Sequence, residues 1–189
     1  MRVLGRPQRI LGVDPGSSVT GFGIVERCGA RVRHLAHGTV RPARGASLAE
    51  RLAAIQAGLA AAIAAHAPEV AVVERVFAGR SARSALVLGH ARGVALATAA
   101  AAGLPVVEYT APEIKLAVVG NGAAEKRQVQ AMVGRLLALA AAPPLDAADA
   151  LAAALCHAHR GPLASFAIGA RLRPCSRAGA GRLVVRRAR

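Results

Sequence analysis

A chain of 189 residues and 19.1 kDa holds one sizeable hydrophobic core, and so a single domain. Its mean hydropathy of +0.39 comes largely from alanine, and its longest apolar stretches, such as 94–107, stop short of the roughly 20 residues that span a bilayer. Cys28, Cys156 and Cys175 show no CxxC spacing, which argues against a disulfide framework or cysteine zinc site, and the apolar run 10–13 is too short for a signal peptide, so a soluble cytoplasmic protein is expected.

Residues 8–13 read as a short buried strand ending in the turn Asp14-Pro15-Gly16. Strands over 19–26 and 31–40 follow, separated by Cys28-Gly29-Ala30, and together the three suggest an antiparallel meander. Ser47 and Glu50 form the S-x-x-E pattern of a capping box. Leu52, Ile55, Leu59 and Ile63, spaced by 3 and 4, carry that helix to about His66, and Pro68 breaks it. Residues 70–74 are an apolar run ending in an acid, as a central strand would. A long helix over 81–102 and a strand over 105–109 come next, then helices over 112–119, 124–140 and 146–159. From Gly161 onward Gly, Pro and Arg recur without period, as in a tail. Three strands, then alternating helix and strand, then helices predict a mixed α/β domain. Its first three strands are antiparallel, and the later ones, joined by helical crossovers, are parallel.

Twenty-five Lys and Arg against ten Asp and Glu give a formal net charge of +15, which points to a polyanionic partner. A bias toward Ala, Gly, Pro and Arg would inflate arginine regardless of function, but the distribution is uneven. Residues 1–9 hold three Arg and residues 160–189 hold eight, with no acid in either segment. The chain thus divides into a basic extension (1–8), a folded domain (9–160) and a basic tail (161–189), its ends suited to nonspecific nucleic-acid contact. Only Lys115 and Lys126 remain as lysines beside 23 Arg. They are either leftover surface residues or places that need a compact point charge rather than a planar fork.

Asp14 ends the first strand and Glu74 a later one. In α/β sheets the carboxyl ends of strands are where ligands sit. If the two strands are neighbours, the carboxylates repel, and a divalent cation relieves that repulsion. Asp146 and Asp149, at i and i+3, share a helix face. Four hard oxygen donors suit Mg²⁺ or Mn²⁺ and disfavour zinc. Each acid also has a plainer role: Asp14 in a turn, Glu74 at a solvated strand end, Asp146 as an N-cap with Asp149 at N3. Yet all three aspartates of the chain fall at positions that suit a metal. Gly89 and Gly93, at i and i+4, permit close helix approach, either inside the domain or to a partner. His157 and His159, at i and i+2, point to different faces and do not chelate together, and Cys156 reads as core.

Five segments carry a resemblance. They are ILGVDPGSSVTGFG at 10–23, VERVF at 73–77, LGHARGV at 88–94, VVGNGAAEK at 118–126 and DAADALA at 146–152. In this order, over about 9–160, they resemble the RuvC family of Holliday-junction resolvases. A lone D-x-G turn would also fit actin-like ATPases, but 189 residues leave no room for the duplicated domain. The resemblance implies a ribonuclease H-like fold and a homodimer. It also implies magnesium-dependent cutting of two strands of a four-way DNA junction, giving 5′-phosphate and 3′-hydroxyl ends, alongside a RuvA- and RuvB-type helicase complex. By position it makes Asp14, Glu74, Asp146 and Asp149 the acids that hold two Mg²⁺ ions, with Mn²⁺ able to substitute. It places Lys115 and Lys126 near the scissile phosphate, with Lys126 as a catalytic group, and Phe77 where an aromatic stacks on an unpaired base. Arg80 and Arg83, in a loop that departs from the family pattern, are further candidates for DNA contact. Phe22 and His90 depart as well, standing where Tyr and Gln are frequent. The rival readings are a noncatalytic basic DNA-binding protein and a ribonuclease H-like nuclease acting on RNA.

Overall fold

The computed structural model describes residues 6–75 and 82–160. Strands β1 (Gln8–Asp14), β2 (Thr20–Cys28) and β3 (Arg31–Val40) form the expected antiparallel meander, with Gly29 at φ +61° making the turn between the last two. β4 (Val70–Arg75) pairs parallel with β1, and β5 (Val106–Thr110) pairs parallel with β4. The sheet order is β3-β2-β1-β4-β5, which puts β1 at the centre.

Five helices cover the two faces: α1 (Leu48–His66), α2 (Ala82–Ala101), α3 (Ala111–Val119), α4 (Lys126–Leu136) and α5 (Leu145–Arg160). The capping box of α1 is present, with Glu50 N–H donating to Ser47 Oγ and Ser47 N–H donating to Glu50 Oε2 at 2.7 Å. A second box that the sequence reading overlooked opens α3, between Thr110 and Glu113. Two helix expectations need correcting. The helix expected over 124–140 is shorter at both ends: Glu125 is its N-cap, and the chain leaves it at Leu137, before Ala138 turns left-handed at φ +49°. Asp146 is not an N-cap. Helical bonding already begins with Ala148 N–H donating to the Pro144 carbonyl, so Asp146 lies inside the first turn of α5.

Strand alternation divides the interior in two. Ile10, Val70 and Val72 point to one face and pack with α3, α4 and α5. Leu11, Val13, Ala71 and Val73 point to the other and pack with Ile55 and Leu59 of α1 and Ala91, Ala95 and Ala99 of α2. Uninterrupted apolar runs stay short, as expected, but two helices with scattered polar residues pass a looser test of length and mean hydropathy. Leu48–His66 and Ser84–Ala101 are long and apolar enough to cross a membrane by length and composition. Alanine supplies much of that hydropathy, and Ile55 and Leu59 of α1 are spent on the core.

Candidate active site

β1 and β4 are neighbours and parallel, with Val13 opposite Val73, so the next residues, Asp14 and Glu74, stand side by side at the same end of the sheet. Period-two alternation puts Asp14 on the face of Ile10 and Glu74 on the face of Val70 and Val72, beneath α5.

Glycine is what lets α5 descend onto this spot. A Cβ on Gly12 would land on the Ala150 carbonyl, one on Gly21 on the Asp146 carbonyl, and one on Gly23 within 2.6 Å of the Leu151 side chain. Gly21 pairs with Asp14 across the β1–β2 ladder, and Gly12 pairs with Gly23. The helix replies with small buried residues: Ala147, Ala148, Ala150, Ala152, Ala153 and Ala154. Glycine inside a strand marks close backbone approach. These glycines were visible in the sequence but went unread as the seat of α5.

As a result, Asp14, Glu74, Asp146, Asp149, Lys115 and Lys126 all border one cleft of about 370 Å³. Lys126, the first residue of α4, donates from Nζ to Asp149 Oδ2 at 2.9 Å. Arg41 comes within 3.9 Å of Asp146 Oδ2. The Asp14 carboxyl is pushed up to about 7, chiefly by burial and then by the negative charges of Asp149 and Glu74, while Lys126 pulls it down. Phe77 and Arg80 lie outside the described residues. Arg83 lies in α2, but its side chain is likewise outside the description. The two histidines have separate surroundings: His157 is buried with Nδ1 3.0 Å from the Tyr109 hydroxyl, while the exposed His159 lies near the Ala117 carbonyl.

Among the described residues, no three Asp, Glu, His or Cys side chains close tightly enough on one point to enclose an ion. The donor set nevertheless suits a hard cation. Four carboxylates border the cleft without sulfur or imidazole, beside two ammonium groups, of which that of Lys126 is bonded to Asp149.

The sheet order and the acids on its central strands and last helix define a ribonuclease H-like nuclease. The family model described as "Crossover junction endodeoxyribonuclease RuvC" matches residues 10–157. Proteins of that description from Halorhodospira halophila and Hyphomonas neptunium are 54% and 49% identical, covering 86% and 85% of this chain and 98% and 96% of their own. The structure of Thermus thermophilus RuvC in complex with Holliday junction substrate is 34% identical, with a TM-score of 0.77, over 84% of this chain and 97% of that one. The yeast mitochondrial Holliday junction resolvase Ydc2, 10% identical at a TM-score of 0.56, shares the fold. The chain belongs to the RuvC family of crossover junction endodeoxyribonucleases. Nucleases of this family depend on a metal.

Proposed function

We propose that this protein resolves four-way DNA junctions by hydrolysing one phosphodiester in each of two opposed strands, leaving 5′-phosphate and 3′-hydroxyl ends. The observation that carries the reading is the meeting of Asp14, Glu74, Asp146 and Asp149 with both lysines of the chain in one cleft. Asp14, Glu74 and one or both of Asp146 and Asp149 would hold two Mg²⁺ ions, or Mn²⁺ in their place. Such a pair, when bound, supplies an activated water and offsets charge on the phosphoryl oxygens and the leaving oxygen. Lys126 and Lys115 border the same cleft and offset the charge of the incoming phosphate. The bond of Lys126 to Asp149 uses one of its three N–H donors and leaves the others for that contact. Phe77, Arg80 and Arg83 remain candidates for DNA contact, Phe77 by stacking on an unpaired base, which is worth about 1–3 kcal/mol.

Paired symmetric nicks need two sites, and hence a twofold dimer. The basic segments 1–8 and 161–189 add nonspecific attraction to DNA, and a RuvA- and RuvB-type complex would present the junction. Such work belongs to the cytoplasm, where the DNA is. The test is resolution of a mobile junction in Mg²⁺. Asp14→Asn and Glu74→Gln should each abolish nicking and leave junction binding within a few-fold of wild type. Normal cleavage by Asp14→Asn would end the assignment.

A further inference from the structure

Arg51, near the start of α1, reaches the loop that follows Asp14 from the other side of the sheet. Its Nε donates to the Ser17 carbonyl at 2.7 Å, and its Nη2 donates to Ser17 Oγ at 2.8 Å and Ser18 Oγ at 3.0 Å. Among the described residues no carboxylate pairs with it, and the adjacent Glu50 is engaged by Ser47 at the cap. A guanidinium held only by neutral acceptors leaves its charge uncompensated at the loop.

The same bonds orient the two hydroxyls. Each serine oxygen accepts from Nη2 through a lone pair, which leaves its own O–H to donate outward. Donors backed by a cation favour an anionic oxygen over a neutral one. The loop itself is stiff. Thr20, fully buried, donates from Oγ1 to the Gly16 carbonyl at 2.8 Å and accepts from Gly16 N–H at 3.3 Å. A Cβ on Gly16 would fall on the Val19 carbonyl.

Ser17 and Ser18 border a groove of about 500 Å³, with Ser84, Val87 and Leu88 of α2 on its other side. Gly16, Val19, Leu88 and Asp146 line this groove and the acid cleft alike, so the two are continuous. A strand with one phosphate among the acids therefore has a path past the hydroxyl pair. A cation is unwelcome there because of Arg51, and Asp146, the one acid on the rim, faces Arg41.

We infer that Ser17 and Ser18, backed by Arg51, form a second phosphodiester subsite for the DNA strand whose neighbouring phosphate lies at the acid cluster. This rests on the nuclease reading above, and the two fail differently. The experiment measures binding of the full chain in EDTA to a series of junctions, each carrying one neutral methylphosphonate near the cleavage position. In wild type, neutralising the phosphate at the subsite should weaken binding about 10-fold. In the Ser17→Ala/Ser18→Ala variant, binding to the unmodified junction should fall by a similar factor. The same methylphosphonate should then have no further effect, while the penalties at other phosphates persist. Arg51→Gln should erase the same single penalty and lower the salt slope by about one phosphate's share. If every penalty survives in the double serine variant, or if Arg51→Gln lowers all of them equally, the subsite is overturned and Arg51 merely supports the loop. If wild type neither binds nor nicks a junction, the nuclease reading goes, and the subsite with it.

Discussion

Lys126 opens α4 at the end of the helix where a cation is least welcome, since the macrodipole there disfavours positive charge by about 0.3–1 kcal/mol. Its bond to Asp149 offsets that cost, so the scarcity of lysine pointed to a site before the structure placed one. Asp14 shows the same tension from the acidic side. Its carboxyl titrates near 7 in the fold against 3.8 for an ordinary aspartate, so ionising it destabilises the metal-free protein. For an acid whose folded value is raised, stability falls as pH climbs from the lower value through the upper one. Asp14→Asn never ionises. In EDTA it should match wild type in melting temperature below about pH 4, pull ahead through neutrality and level off above about pH 7. The gap should be on the order of 4 kcal/mol, or about 8–16 °C in Tm for a chain of this size. Thermal scans across pH 4–8.5 check this, and a pH-independent gap would refute it. The four acids were legible as residues because aspartate is rare here. Asp146 was legible as a candidate but misplaced as a cap, because its side chain suits that role better than Pro144, which holds the position two residues earlier.

At the scale of elements, the seat of α5 governs the site. Its acids reach Asp14 because Gly12, Gly21 and Gly23 leave the β1–β2 surface bare, and the main chain, alanines and Leu151 of α5 fill the gap. Gly21→Ala should push α5 away at Asp146 and cost about 1–3 kcal/mol by overpacking. Nicking should fall by more than the lost stability explains, because the substitution moves one pair of carboxylates relative to the other. Gly134→Ala on α4, where a Cβ meets nothing within 4 Å, is the control and should leave Tm and rate near wild type. Melting curves beside single-turnover rates at a temperature where both variants are folded decide the matter. Equal behaviour of the two variants would remove the seat from the account. Strands and helices were readable from period and caps, because those signals are local. The α5 seat was not, because it joins glycines of the first strands to a helix more than a hundred residues later. The end of α4 was also hidden, since alanine continues without any breaker where Ala138 turns left-handed.

For the whole molecule, the mixed sheet followed from element order alone. The paired nicks proposed above would require a second copy, and α2 offers a surface for one. Leu86 is 63% exposed, and Gly89 and Gly93 on the same helix are exposed with open space where a side chain would be. That settles one alternative, because neither glycine serves packing within the described domain. We expect light scattering to show a dimer at micromolar concentration, and Gly89→Arg/Gly93→Arg to shift it toward monomer without lowering the secondary-structure content. A monomeric wild type would count against the twofold arrangement.

The bare glycine floor under α5 has one more consequence. Where two elements meet through side chains, a methyl group gained or lost lets the joint loosen by degrees. Here, at Gly12 and Gly21, the meeting is main chain on main chain, with no upholstery to wear thin. The spacing between strand carboxylates and helix carboxylates therefore inherits the stiffness of atomic radii, and the reactive centre has no slack setting between assembled and dismantled.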